Sequence, residues 1–204
     1  MDELTERRRA FTSAAHWFVA TTVLADDRWN HPALGEWTVL DLVGHTSRAL
    51  LTVESYLSDE PLPLDVESAV DYYRLATTGH TDPAAVAHRG REAGAALGDA
   101  PAEAVAEIAE RVLARLGMVS ESAHVATPVG NMRLVDYLPS RTFELTVHTC
   151  DLAAALGADI DVPEAAAAEA ATLAGGLAAR AGSAGTLLLG VTGRSTLPDD
   201  FTVL

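Results

Sequence analysis

The 204-residue chain contains no lysine: all 14 of its cationic side chains are arginine, set against 29 carboxylates, for a formal net charge of −15. So acidic a surface repels phosphate backbones, and nucleic acid is not an expected partner. Long apolar runs are missing as well. None approaches the ~20 residues that a membrane-spanning helix needs, so no membrane association is expected. The first residues carry acids ahead of Arg7-Arg8-Arg9 with no apolar core behind them, so a signal peptide is not indicated. A single cysteine, Cys150, rules out an internal disulfide and a cysteine-rich zinc site. That usage fits a reducing cytoplasm. What the chain has in quantity is apolar side chains, 49% of the total, enough to bury a core despite the charge. Its length favours one compact domain with room for a small appended lobe.

Helical spacing dominates the pattern. Phe11, Ala14, Ala15, Phe18, Val19 and Thr22 share one face of a helix expected over about residues 4–25. The breaker-rich stretch 30–35 ends it. Thr38 and Asp41 then read as a capping box for a helix to about residue 57, with Leu42, Ala49, Leu50 and Val53 on its buried face. Pro61-Leu62-Pro63 marks a turn, and a short helix is expected over 65–76, closed by Gly79. Asp82 is expected to cap a helix starting at Pro83 and reaching residue 97, with another over 101–116. Two short extended pieces, 124–127 and 132–134, flank an expected Gly130-Asn131 turn. A helix follows over 139–156, with Pro139 at its start and Gly157 as its C-terminal cap. Pro163 opens an alanine-rich helix to about residue 182, and the apolar run 186–191 reads as one buried strand. The expected fold class is therefore all-α: a helical bundle over residues 1–160 and a short extension over 161–204, one helix plus one strand, packed on the bundle.

Within the 139–156 helix, Glu144 and His148 are four residues apart, so both project from one face with Cβ atoms ~5–6 Å apart. A carboxylate oxygen and an imidazole nitrogen at that spacing can chelate zinc, and a catalytic site uses three protein ligands and keeps one position open. Such a pair alone is more often a solvated ion pair than a ligand set. His45 is the strongest candidate for a third ligand, since it sits mid-helix among Leu42, Val43, Ala49 and Leu50, where an unpaired imidazole is expensive. Read alone, it too is more often a satisfied core histidine than a ligand. His16, His31, His80, His88 and His124 read as surface or structural, with His16 beside Trp17 the most notable of them.

Three segments carry a family resemblance. Trp37-Thr38-Val39-Leu40-Asp41-Leu42-Val43-Gly44-His45 resembles the W-[ST]-x-x-[DE]-[LV]-[VL]-x-H motif of the DinB-like superfamily, especially the actinobacterial branch containing mycothiol-dependent maleylpyruvate isomerase. Glu144-Leu145-Thr146-Val147-His148-Thr149-Cys150-Asp151-Leu152-Ala153-Ala154-Ala155-Leu156-Gly157 looks like that branch's E-x-x-x-H-x-x-D-L-x-x-A-L-G. The run from Leu187 to Arg194 is similar to its closing L-L-x-x-x-T-G-R. The resemblance implies a DinB-like four-helix bundle with a divalent metal, zinc being the expected ion, held by His45, Glu144 and His148. It also implies mycothiol as co-substrate. The third ligand and the thiol chemistry come from the resemblance, not from the spacing. The chain departs from fuller isomerase-like members in having only about one helix and one strand after Gly157, where they carry a larger α/β lobe.

Two neutral imidazoles and one carboxylate would leave a divalent ion with a net charge of about +1 and a vacant position suited to thiolate or hydroxide. Cys150 is not the expected nucleophile: two residues past His148 on a helix, it is turned about 200° from the ligand face and reads as packing. The resemblance implies a thiol supplied from outside, mycothiol. In the isomerase reaction that the resemblance implies, it adds to a conjugated cis double bond, the new single bond rotates, and elimination releases the trans product. An S-transferase would keep the thiol attached. Anionic substrates call for arginine, whose planar guanidinium matches a carboxylate bidentately. The candidates are Arg48, Arg74, Arg141 and Arg194, each also readable as a surface ion pair. Asp151 is either an acceptor behind a ligand histidine or a structural cap, and the structural role is favoured. The expected function is thus a cytoplasmic, metal-dependent thiol enzyme acting on a small electrophile. The alternatives are a metal-dependent amide or ester hydrolase and a non-catalytic metal- or ligand-binding protein, and an oligomer is compatible with the sequence.

Overall fold

Asp2 accepts a hydrogen bond from the Thr5 amide at 2.8 Å and so starts the first helix, α1 (Glu3–Val23). The computed structural model describes residues 2–58, 60–77 and 83–204. The capping box read from the sequence forms: the Asp41 amide donates to Thr38 Oγ1 at 3.2 Å and the Thr38 amide to Asp41 Oδ2 at 2.9 Å. It opens α2 (Val39–Tyr56). Then come α3 (Ala69–Thr77), α4 (Pro83–Ala95), α5 (Pro101–Met118), α6 (Leu134–Leu156), α7 (Glu164–Arg180) and α8 (Ala184–Val191). Gly79, His80 and Asp82, read above as a helix end, a minor histidine and a cap, lie outside the described residues.

α1, α2, α5 and α6 pack around one core in which Phe11, Phe18, Leu42, Leu50, Leu116 and Leu145 are buried. The periodicity leads to the expectation of a helical bundle, and the resemblance implies this four-helix form of it. α4 lies on the outside of α2, α3 against α6 and α7, and α7 against α1 and α6. Arg7 on α1 donates through Nη1 to both oxygens of the buried Glu169 on α7, at 2.6 and 2.8 Å. Arg28 Nη1 donates to the Leu156 carbonyl at 2.9 Å, closing the end of α6 where Gly157 turns left-handed at φ 64°.

Three local expectations need correction. The run 186–191 is helix α8 rather than a strand, with Leu188, Leu189 and Val191 largely exposed rather than buried. A short apolar run does not reveal its period, and no sheet edge of the described residues lies beside it. Pro139 does not open its helix: α6 begins at Leu134, directly after a strand, with proline inside it. Burying Leu134, Val135, Tyr137 and Leu138 outweighs the one backbone hydrogen bond that the proline removes. Finally, the hairpin consists of β2 (His124–Thr127) and β3 (Gly130–Arg133), with Thr127 opposite Gly130, so the loop is Pro128-Val129 and not Gly130-Asn131. A short strand unforeseen from the sequence, β1 (Leu57–Ser58), extends α2 and pairs antiparallel with β2.

The contact that places α4 is made by glycine. A Cβ on Gly44 would sit 2.1 Å from the Gly94 nitrogen, and one on Gly90 2.7 Å from the Trp37 ring. The α2 and α4 backbones therefore touch, a separation that no side chain permits. We predict that Gly44→Ala destabilises the protein by about 1–3 kcal/mol or more through overpacking, read as a lower urea midpoint by circular dichroism. An unchanged midpoint would contradict this apposition.

Candidate metal centre

His45 projects from α2, and Glu144 and His148 project from one face of α6, the helix against which α2 packs. One donor atom of each lies within 4.8 Å of the others. The rings of His45 and His148 meet edge to face with centroids 4.9 Å apart. His148 Nε2 is 3.3 Å from Glu144 Oε2. Two donors bound at ~2.0–2.2 Å to a tetrahedral ion are about 3.3–3.6 Å apart, so this pair already spans one edge of such a site.

Each of the three side chains is held from behind. His148 Nδ1 is 3.1 Å from Asp151 Oδ2. The Tyr73 hydroxyl, on α3, donates to Glu144 Oε1 at 2.5 Å and lies 3.3 Å from the Ser140 carbonyl. The Trp37 ring lies 4.5 Å from that of His45, and its Nε1 donates to the Ala87 carbonyl of α4 at 3.2 Å. Among the described residues His45 Nδ1 is one of five buried side-chain polar atoms with no hydrogen-bond partner, and the one that belongs to this cluster. A buried polar atom is ordinarily satisfied, so this orphan, beside a carboxylate and a second imidazole, fits a cation-binding cluster better than a purely structural one.

The charges point the same way. Burial, reinforced by the charge of His148, lowers the pKa of His45 to about 4 and keeps it neutral, the form a metal ligand needs. Burial would raise Glu144, but the hydrogen bond from His148 and the charge of Arg141 outweigh it and keep the carboxylate ionised. Burial would likewise lower His148, yet its hydrogen bonds to Asp151 and Glu144 raise it to about 9. Burial and the Glu144 charge hold Tyr73 well above its usual range, so it stays a donor.

His45 and Glu144 open onto a cavity of about 260 Å³. Arg48 from α2, Arg89 from α4 and Arg141 from α6 line it, with Tyr56, Tyr72 and Tyr73. The Arg141 guanidinium is fixed between aromatic faces, 5.4 Å from the Tyr72 centroid and 5.0 Å from that of Tyr137. Among the described residues none of these three arginines has a carboxylate within ion-pair distance, although the chain is strongly acidic. Arg74 and Arg194 are not brought here. Arg74 sits on the exposed side of α3, 3.9 Å from Asp71, facing a separate cavity toward Leu177 and Arg180. Arg194 is exposed beyond α8. Cys150 is half-buried, and burial pushes its thiol up, away from nucleophilic character.

Tyr73, the role of Trp37, and Arg89 are site features that the sequence did not reveal. Tyr73 stood one residue before Arg74, and α3 buries the tyrosine while leaving the arginine exposed. Trp37 was visible in the first motif, immediately before the capping box. Nothing in the alanine-rich α4 distinguishes Arg89, which reaches the cavity only because glycine lets α4 lie flush on α2.

The bundle and its two-histidine, one-carboxylate cluster define a DinB-like metal-binding domain. The family model of the mycothiol maleylpyruvate isomerase N-terminal domain matches residues 10–153, well over half of the chain, and the chain belongs to that family. No curated protein and no solved structure matches it. Among the described residues no helix is long and apolar enough to cross a membrane.

The two imidazoles set opposite limits on the stability of the chelator-treated protein. His45 titrates at about 4 when folded against 6.5 unfolded, so its contribution is lost as pH falls below 6.5. His148 titrates at about 9 against 6.5, so its contribution is complete below 6.5 and lost as pH rises toward 9. We expect the loss of stability on the alkaline side to disappear in His148→Gln, and the loss between pH 6.5 and 4 to shrink in His45→Gln, in urea titrations across pH. Unaltered profiles in both variants would refute the assigned charges.

Proposed function

We propose that this protein is a metal-dependent thiol enzyme. It uses a low-molecular-weight thiol, mycothiol, as co-substrate and acts by isomerisation or S-transfer on a small anionic electrophile. The observation that carries the reading is the convergence of His45, Glu144 and His148, with the orphaned His45 nitrogen, at an arginine-lined cavity. Membership of the family supports the thiol.

In this reading His45, Glu144 and His148 hold a divalent cation, with zinc the expected ion for this donor set. Such an ion, when bound, favours the thiolate over the thiol at neutral pH. The residues around it do the rest. Arg141, immobilised between Tyr72 and Tyr137, offers a preset guanidinium to a substrate carboxylate, and Arg48 and Arg89 add positive potential at the same cavity. Asp151 holds the His148 ring so that Nε2 faces the cluster. Cys150 is left out of the chemistry, and the reducing cytoplasm is the natural setting for an enzyme that consumes an external thiol.

Metal content is the direct test. The purified protein should carry or take up one divalent ion per chain, and His148→Ala or His45→Ala should lose it while retaining helical circular dichroism. Equal stoichiometric metal in the wild type and both variants would remove the ligand assignment. With metal bound, turnover of a conjugated cis-enoate or a thiol-reactive electrophile should depend on added mycothiol. Indifference to the thiol would point instead to hydrolysis. Because a cation must displace the proton on His148, apparent affinity should rise about tenfold per pH unit between pH 6 and 8, measured with a competing chelator.

A further inference from the structure

We infer that Tyr73 is a positioning residue of the metal centre: by occupying Glu144 Oε1, it restricts the carboxylate to a single donor oxygen. The inference rests on the metal reading proposed above. Its basis is how the two carboxylate oxygens are divided. Oε1 accepts the Tyr73 hydroxyl at 2.5 Å, whereas Oε2 faces the imidazole of His148 at 3.3 Å. A carboxylate with both oxygens available can bind an ion through one or both. Donating a hydrogen bond to one oxygen makes it a poorer and less accessible ligand and fixes the plane of the group.

Tyr73 is well placed for this. Its ring is buried, edge-on to Phe143 at 5.8 Å and to Tyr72 at 6.0 Å, so the hydroxyl is delivered by a packed core rather than a loose side chain. It also comes from α3, an element that carries none of the three donors, so the division of the carboxylate is imposed from outside the ligand helices. The consequence is coordinative. With one oxygen from Glu144 and one nitrogen from each imidazole, the protein supplies three donors and leaves room for an exogenous thiol. A second oxygen from Glu144 would take that room.

Cobalt(II) substitution tests this without reference to turnover, because the visible bands of four-coordinate cobalt are intense and weaken as a fifth donor enters. Tyr73→Phe keeps the ring and removes only the hydroxyl. Tyr137→Phe is the control, deleting a buried hydroxyl that makes no hydrogen bond to Glu144. The expected result is a weakened, shifted cobalt spectrum and ~10–100-fold poorer cobalt affinity in Tyr73→Phe, the usual penalty for losing such a supporting contact. Tyr137→Phe should resemble the wild type. A wild-type spectrum and affinity in Tyr73→Phe, or equal changes in both variants, would overturn the proposal while leaving the metal site standing. If wild-type protein binds no cobalt, the metal reading fails and this one falls with it.

Discussion

The rest of the structure depends on a carboxylate and two imidazoles buried together at the contact between α2 and α6. Polar groups in such a place are costly unless each is paired or bound to an ion. The protein meets that cost from three sides. Asp151 sits behind His148, Tyr73 donates to Glu144, and Trp37 covers His45. Without a cation, the proton on His148 supplies the positive charge that Glu144 requires. His45 has no such substitute, and its Nδ1 is left without a partner among the described residues. A cluster satisfied at two of three members is an arrangement that bundle packing alone does not call for.

Around this cluster the charge balance of the chain is locally reversed. The protein as a whole carries −15, yet Arg48, Arg89 and Arg141 converge on a cavity where, among the described residues, Glu144 is the one lining carboxylate. An acidic exterior with a cationic pocket repels polyanions broadly while attracting a small anion into one place. All four tyrosines lie here as well, three lining the cavity and Tyr137 beneath Arg141. The rings of Tyr72 and Tyr137 hold the Arg141 guanidinium by cation–π contact, which orients it without neutralising it, as a carboxylate partner would.

The bundle was legible because helices announce themselves by period and cap. Phe11, Phe18, Leu42 and Leu50 fall where the spacing placed them, and the Thr38–Asp41 box forms. Errors arose where local signals are ambiguous. Pro139 favours a helix start, but burial of the preceding turn extends α6 past it, and the run 186–191 had no period long enough to distinguish strand from helix. For the site, Glu144 and His148 could be paired by their spacing on one helix. His45 lies about a hundred positions away; its apolar surroundings made it a candidate, and the motif containing it raised it above a core histidine. Tyr73 and Arg89 could not have been read at all, because they reach the site through the tertiary placement of α3 and α4.

That dependence on placement gives the C-terminal segment a part in a site to which it contributes no donor. The three donors and the three cavity arginines fall within residues 10–153, the stretch matched by the family, whereas α7 and α8 lie beyond it. α7 is nevertheless tied to the bundle by the buried Arg7–Glu169 pair and to α3 by Arg180, which donates to Asp71 at 2.6 Å. Gly176 of α7 packs closely on Val70, where a Cβ would lie 3.0 Å from a Val70 methyl group. Asp71 and Val70 immediately precede the two tyrosines of α3. The position of α7 thus bears on the position of Tyr73, and through its hydroxyl on the orientation of Glu144. A segment that appears at first only to thicken the bundle thereby sits two contacts from the carboxylate on which the centre depends.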